Sequence, residues 1–299
     1  MHRTILVAAA ILIPANALAQ VVGRNESTFA VAHQLSSGNW VRIASPNGTI
    51  RIVQTTGSEV RIRAEKTVRR GSIDDVGFVV RRTGDGVTVC AVYEDEAECG
   101  NDGSYRSRNR RSWPNSPQVR TDFTVSIPSN ARVKAGSGNG DITIEGAGPT
   151  VLASTGNGNI DISNTEGEVE AHSGNGRVTI TSAKGAVDAS TGNGAIRIAT
   201  AMGPVDATTG NGSIDVTMDR VQGSPDMRFT TGNGRITVRV PEGFGAELVS
   251  SSGSGRVTVD LPLEVVGRVR KSSVRGRIGS GGGRLVLRTG NGSVNVTRA

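Results

Sequence analysis

The 299-residue sequence predicts an all-β protein, a parallel β-solenoid built from 18-residue coils of two strands each. Three observations lead there. The chain holds 41 Gly but only five Phe, two Tyr and two Trp. A Gly-x-Gly triplet recurs along it, and alternating apolar and polar residues follow each triplet. Because so few aromatic side chains cannot fill a broad core, we expect a thin core between two closely spaced sheets.

The amino terminus predicts export. Arg3, an unbroken apolar run over residues 5–13 and Ala17-Leu18-Ala19 have the order of a secretory signal, with cleavage expected before Gln20. The apolar run is about half as long as a membrane-spanning helix needs to be. We therefore expect residues 1–19 to be removed, no transmembrane segment to remain in the mature chain, and a periplasmic, secreted or cell-surface location.

The repeat defines the predicted corners of the solenoid. Tight corners favour Gly and Asn because both tolerate positive φ angles, and identical side chains on stacked coils can form hydrogen-bonded ladders. A Ser or Thr precedes every triplet, and Ser254 is the one central residue that is not Asn. The triplets start at Gly138, Gly156, Gly174, Gly192 and Gly210, spaced by 18 residues, and then at Gly232, Gly253 and Gly290. The predicted turn ladder is Asn139, Asn157, Asn175, Asn193, Asn211, Asn233 and Asn291.

Each repeat also predicts two strands. Ile142 and Ile144 follow the first triplet, and Val151 and Ala153 repeat the alternation nine residues later with a smaller second side chain. A five-residue strand spans about 17 Å, so two strands and two short turns account for one coil. Roughly nine or ten coils spaced by about 4.8 Å would give a rod on the order of 45 Å long.

Upstream of the exact repeats we expect an N-terminal β-strand region over residues 20–118, continuous with the repeat solenoid of residues 119–299. Cys90 and Cys99 are the only cysteines, and in an oxidising compartment they predict one disulfide. The stretch 94–118 lacks periodicity and is predicted to be an exposed loop, either solvated or in contact with an anionic partner. It contains Tyr105, Arg106, Arg108, Arg110, Arg111 and Trp113.

The sequence gives little support to catalysis. The mature chain has only two histidines, His33 and His172, far apart in sequence, and no triplet matches a phosphate-binding loop. Calcium-binding β-rolls need an Asp at a fixed place in each coil. The corresponding positions here are Thr143, Asp161, Thr179, Arg197 and Asp215. We therefore expect no enzyme, no cofactor and no metal site. The alternative is an enzyme or sensor that acts on envelope polysaccharide.

Charge is distributed unevenly along the chain. Residues 119–226 hold 7 Lys and Arg against 12 Asp and Glu, whereas residues 227–299 hold 12 against 4. The basic end could bind anionic envelope polymers or lipid headgroups, or the acidic middle of another copy, or its charges could simply be solvated. Nucleic acid is not expected as a partner, because aromatic residues for base stacking are scarce. The candidate contact residues are Arg268, Arg270, Lys271, Arg275 and Arg277.

The repeated T-G-N-G-x-I-x-I, the V-x-A-x-T that follows it, and the closing Val274-Arg275-Gly276-Arg277-Ile278-Gly279 resemble the bacterial putative-adhesin family of β-strand-repeat proteins, a domain of unknown function. The resemblance covers residues 119–299 strongly and 28–92 weakly. It implies a non-catalytic, extracytoplasmic β-solenoid, in a family with members linked to the cell envelope, and supplies no catalytic residues.

Overall fold

The computed structural model describes residues 21–93, 98–106, 117–221, 223–268 and 270–299, so the predicted secretion signal at residues 1–19 lies outside the described residues. Apart from a single-turn 3₁₀ helix, Ile73–Asp75, the regular structure in these ranges is all strand. The strands are β1 Val21–Val22, β2 Thr28–Gln34, β3 Trp40–Asn47, β4 Ile50–Thr55, β5 Glu59–Arg70, β6 Gly77–Thr83, β7 Gly86–Val92, β8 Glu98–Cys99, β9 Tyr105–Arg106, β10 Gln118–Pro128, β11 Arg132–Asn139, β12 Ile142–Ala147, β13 Thr150–Asn157, β14 Ile160–Thr165, β15 Glu168–Asn175, β16 Val178–Ala183, β17 Val187–Asn193, β18 Ile196–Ala201, β19 Val205–Asn211, β20 Ile214–Met218, β21 Met227–Asn233, β22 Ile236–Val240, β23 Ala246–Ser252, β24 Val257–Val259, β25 Leu263–Val265, β26 Ser273–Ile278, β27 Arg284–Asn291 and β28 Val294–Arg298.

Two long sheets face each other. One has 14 strands in the order β1-β6-β7-β3-β11-β13-β15-β17-β19-β21-β27-β23-β26-β25, and the other has 12 in the order β2-β5-β10-β4-β12-β14-β16-β18-β20-β22-β28-β24. From the β7 and β10 level to the β23 and β24 level the two sheets run in step, and every pairing is parallel. The predicted parallel β-solenoid with two strands per coil is confirmed.

The register explains why the sequence repeats. Asn139 lies opposite Asn157 in the first sheet, and Ile142 lies opposite Ile160 in the second, so each side-chain column runs from coil to coil. Inward columns hold Val and Ala on one sheet and Ile or Val on the other, and these side chains are fully buried. The small Val-Ala half lets the sheets approach closely, which gives the thin core that the composition requires.

Positive φ accounts for only part of the need for glycine at the corners. Gly140, Gly176, Gly234 and Gly292 have φ of 155°, 157°, 159° and 149°, whereas among the described residues only Asn130, Asn164 and Ser182 combine a side chain with positive φ, so the triplet asparagines do not use that region. Space is a second constraint. A Cβ built on Gly158 would lie 2.2 Å from the carbonyl oxygen of Gly140, one coil below. The stacking distance of the coils therefore excludes a side chain at this corner.

The last coil of the sequence is not the last coil of the solenoid. β27 lies between β21 and β23, and β28 lies between β22 and β24. The coil of β23 and β24 is therefore placed one level beyond the next free position, and the last coil of the chain, β27 and β28, occupies that position. This order was not predicted. It accounts for Ser254, the one exception in the Asn column: its level ends the stack, and its hydroxyl donates to Oδ1 of Asn291 at 3.0 Å.

Both ends of the stack are covered by antiparallel strands. At the amino-terminal end, β5 pairs with β10 and β2, and β6 pairs with β7 and β1. Most of the buried aromatic bulk lies here, with the Phe29 ring stacked on Phe78 at 4.4 Å and Phe123 edge-on to Phe78 at 5.9 Å. At the other end, β26 and β25 extend only the 14-stranded sheet, which leaves β24 as the edge of the other one.

Candidate functional site

Two polar ladders follow the Gly-Asn-Gly corners. Each amide donates to the Oδ1 of the Asn one coil nearer the amino-terminal end, as Asn193 does to Asn175 at 2.8 Å and Asn211 to Asn193 at 2.8 Å. The hydroxyls before the triplets are buried and donate to the corner carbonyl of the adjacent coil, as Thr191 does to Gly176 at 2.9 Å. These side chains are engaged along the stack, which supports a structural role for them.

The segment after β7 is partly folded onto the solenoid. The disulfide joins Cys90 of β7 to Cys99 of β8 with a Cα separation of 6.0 Å, as predicted. Strands β8 and β9 form a hairpin, and Tyr105 packs on a small cluster that includes Ala44 and Val79 on the outward face of the first sheet. The expectation of an exposed loop is correct only in part for residues 98–106: Glu98, Asn101, Asp102 and Arg106 are exposed, whereas the disulfide and this apolar cluster hold Cys99 and Tyr105 against the sheet. Arg108, Arg110, Arg111 and Trp113 lie outside the described residues.

The same outward face holds a buried arginine. Arg42 is only 7% exposed, and its guanidinium lies 2.7 Å from a carboxylate oxygen of Asp85 and 5.1 Å from the centre of the Trp40 ring. The hydrogen bonds from Arg42 and from Thr83 lower the pKa of Asp85 to about 2. Since both charges are used within the pair, this arginine contributes to holding the fold at the N-terminal end.

His172 forms an array with neighbouring polar groups. Its Nε2 lies 2.6 Å from Oε1 of Glu170 and its Nδ1 lies 2.5 Å from Oγ of Ser190. The set resembles a carboxylate, imidazole and hydroxyl relay, but acyl transfer also needs backbone amides that are free to stabilise an oxyanion. Ser190 lies within β17, which is hydrogen-bonded to β15 and β19 along both edges. The array is therefore a polar contact on an outward sheet face.

The other histidine lies apart from this array. His33 is on β2 at the amino-terminal end, opposite Val60 of β5. Burial, and to a smaller extent the charge of Arg82, lower its pKa. Among the described residues no group of three or more His, Cys, Asp or Glu side chains could hold a metal ion. The ranges that the structure covers also contain no helix long and apolar enough to cross a membrane.

The carboxyl-terminal end of the stack gathers the predicted cations. β25 and β26 pair as an antiparallel hairpin, and Gly276 is required in it because a Cβ there would lie 2.6 Å from the carbonyl oxygen of Glu264. Arg277 is tied to this hairpin: its guanidinium lies 3.0 Å from Glu247 and 3.5 Å from Glu264, and these contacts raise its pKa. Arg277 is thus better explained as a structural cation than as a binding one.

The remaining four cations are exposed. In the described part of the chain, none of them forms an ion pair. The connection between β25 and β26 carries three of them, and it closes through reciprocal backbone hydrogen bonds between Arg270 and Ser273. Their charge is therefore directed to solvent at one end of the solenoid. These residues are Arg268, Arg270, Lys271 and Arg275.

A groove of about 490 Å³ separates this connection from the edge strand β24. Its floor is apolar and its rim is cationic, and none of the described residues that line it is acidic. The edge of β24 is partly occupied, because the Val257 amide donates to the Lys271 carbonyl at 2.9 Å. Sequence reasoning identified Arg270 and Lys271 of the rim, but neither Arg256 nor the groove. The floor residues are Val257, Val259, Leu263 and Val274, with Thr258 beside them, Val265 lies at the exposed edge, and the rim residues are Arg256, Arg270 and Lys271.

Comparison with known proteins gives a family and two structural likenesses. A family model described as Toastrack DUF4097 matches residues 38–297. A putative adhesin from Bacteroides fragilis shares 14% identity over 91% of this chain and 98% of its own, with a TM-score of 0.44. A putative cell adhesion protein from Clostridium sporogenes shares 10% identity over 91% of this chain and 100% of its own, with a TM-score of 0.31. No curated protein matches the chain in sequence.

Proposed function

The chain belongs to the Toastrack DUF4097 family, and from that premise we propose that it is an exported, non-catalytic, adhesin-like solenoid of the bacterial cell envelope that binds an anionic partner through its carboxyl-terminal end. The body of the solenoid is a rigid spacer in this proposal. The end defined by the cationic rim and the neighbouring exposed cations is the contact surface.

Export is supported by two independent features. The first nineteen residues have the layout of a secretory signal, and the Cys90–Cys99 disulfide is of the kind that persists in an oxidising compartment. Both cysteines belong to the apolar cluster beneath the hairpin of β8 and β9. A periplasmic or cell-surface location is therefore consistent with the way this part of the chain is held together.

The observation that carries the binding proposal is the concentration of unpaired positive charge at one end. Within the described ranges, Arg277 is neutralised by Glu247 and Glu264, whereas its four cationic neighbours form no ion pair. Uncompensated charges of one sign on a single surface attract polyanions and raise the rate of encounter with them.

The alternative of an enzyme or sensor acting on envelope polysaccharide receives less support. Glycosidases use a pair of carboxyl groups across a cleft that holds the sugar. The described residues that line the groove at the carboxyl-terminal end include no acid. The groove beside Asp188 and Asp206 is open, and the acids at its margin, Asp206 and Asp226, each accept a hydrogen bond from the backbone of an adjacent coil.

Co-sedimentation with envelope fractions tests the proposal. The mature protein, residues 20–299, should sediment with isolated envelope fractions at 50 mM salt, and much less at 500 mM, because salt screens such contacts. The triple variant Arg268→Gln, Arg270→Gln and Lys271→Gln should lose at least tenfold in binding. A matched variant with the same charge change on middle coils, Arg177→Gln, Arg197→Gln and Arg220→Gln, should bind normally. Equal binding by the two variants would remove the carboxyl-terminal end as the contact surface.

A further inference from the structure

The connection between β25 and β26 exposes apolar as well as cationic side chains. Among the described residues, the exposed large hydrophobic side chains are Val68, Met202, Val265 and Val266, and the two valines are adjacent. Val265 is 44% exposed and Val266 is 61% exposed. The backbone of this segment is held by a hydrogen bond from the Val266 amide to the Arg275 carbonyl at 3.0 Å, and not by burial of the valine side chains. The valines are therefore presented to solvent on a fixed backbone.

The groove next to these valines is also lined by both apolar and cationic side chains. Behind the exposed valines lies the groove floored by Val257, Val259 and Leu263, and the side chains of Arg270 and Lys271 stand at its rim. The acid of the hairpin, Glu264, is paired with Arg277. An amphipathic surface with basic residues around an apolar centre is typical of proteins that lie on anionic lipid.

We propose that this end of the solenoid, residues 265–268, 270 and 271 with the groove behind them, docks on an anionic phospholipid bilayer. The cations would contact lipid phosphates, while Val265 and Val266 would enter the boundary between the headgroups and the acyl chains. This proposal rests on the proposed function and names the partner of the same surface.

Other occupants fit the surface less well. A soluble polyanion would contact the cations but would gain nothing from two exposed valines. A peptide strand added to β24 would find only three residues, with the Val257 amide already bonded to the Lys271 carbonyl. A second copy placed end to end would bring two cationic surfaces together, which is electrostatically unfavourable.

Sedimentation with lipid vesicles tests the proposal on the mature protein. Vesicles of phosphatidylcholine with 30% phosphatidylglycerol should bind it, and vesicles of phosphatidylcholine alone should bind it at least tenfold more weakly. The triple variant Arg268→Gln, Arg270→Gln and Lys271→Gln should bind these vesicles on the order of a hundredfold more weakly, because each cation near an anionic surface contributes about fivefold. The double variant Val265→Ser and Val266→Ser should reduce it about tenfold. Because both valines are exposed, this variant should fold with an unchanged Tm.

Matched controls separate these effects. Met202→Ser removes an exposed apolar side chain on a middle coil and should leave vesicle binding unchanged. Loss of binding in the Gln variant but not in the valine variant would show contact by charge alone and overturn the apolar insertion. Absence of vesicle binding together with normal binding to envelope fractions would overturn the lipid assignment and leave the proposed function standing. Absence of both would remove both.

Discussion

The corner glycines set the spacing of the coils, and Gly194→Ala tests this directly. A Cβ at Gly194 would lie 2.0 Å from the carbonyl oxygen of Gly176 and 2.6 Å from its carbon. An ordinary non-bonded carbon contact lies near 3.5 Å. The two coils would therefore have to separate at this corner by about 1 Å or more.

The cost can be estimated from the bonds that cross this corner. Thr191 donates to the Gly176 carbonyl at 2.9 Å, the Asn193 amide donates to Asn175 at 2.8 Å, and the Gly176 amide donates to the Asn193 carbonyl at 2.9 Å. At about 1 kcal/mol net for each bond, loss of the three destabilises by about 3 kcal/mol. For a domain of this size that corresponds to a Tm lower by about 6–12 °C.

Gly84→Ala is the matched control, because nothing lies within 4 Å of the added Cβ and its φ is outside the left-handed region. Thermal unfolding followed by circular dichroism near 218 nm would compare the two variants with the wild type. Hydrogen exchange would show whether the loss is confined to the coils next to Gly194. If Gly194→Ala melted within 1 °C of Gly84→Ala, the account of the corner as a steric limit would be wrong.

Three further predictions concern other parts of the molecule. Asn193→Asp should lower the free energy of unfolding at pH 7 by more than the approximately 1 kcal/mol expected for Asn193→Ala, because a carboxylate oxygen would face the Oδ1 acceptor of Asn175 with no proton between them. Denaturant melts at pH 3 should show the two variants converging as the carboxyl is protonated. The double variant Cys90→Ala and Cys99→Ala should have a free energy of unfolding lower by about 2–3 kcal/mol and faster hydrogen exchange in residues 98–106. An unchanged melting curve would show that the apolar cluster alone holds the hairpin of β8 and β9. The pKa of Asp85 is lowered to about 2, so its ion pair with Arg42 stabilises the fold above pH 4, and this stabilisation is lost as the pH falls through 2. Asp85→Asn should therefore lower the free energy of unfolding by under about 1 kcal/mol at pH 7, since the carboxylate is exposed, and should not change it at pH 1.5. A difference that does not depend on pH would contradict the ion pair as its source.

The strict 18-residue period made the middle of the molecule predictable. Val151 and Ala153 had to lie inside, and Asn157 had to stack on its counterparts, because any other register would turn the apolar columns to solvent. The disulfide followed from two cysteines and a signal sequence. The sequence alone could not show why the corners need glycine, because a positive φ and a close approach of two backbones both favour this residue.

The position of the last coil could not be read from the sequence. The inward residues of β23 suit a place beside β21 as well as the place that they occupy beside β27, because both neighbours present the same column. Ser254 was the one available signal, as the end of an Asn ladder needs no amide that both donates and accepts. The burial of Lys66 was also not predictable from the sequence. It looks like a surface cation, yet its ammonium is buried and donates to the carbonyls of Gly23, Arg24, Ile73 and Val76 at 2.6, 2.9, 3.2 and 2.6 Å.

At the candidate site, composition located the charge but not the surface that it forms. The sequence grouped Arg277 with the other cations, and only the fold pairs it with Glu247 and Glu264. The groove arises because β26 and β25 extend one sheet and not the other. A pattern of strands alone does not specify which sheet is longer.

Hydrogen exchange of the mature protein, with and without sedimentable envelope fragments, tests the central claim most directly. The account predicts that bound fragments slow exchange at the carboxyl-terminal end, in residues 257–275, and leave the coils from β13 to β20 unchanged. Slower exchange on the outward faces of those middle coils, with no change in residues 257–275, would contradict it.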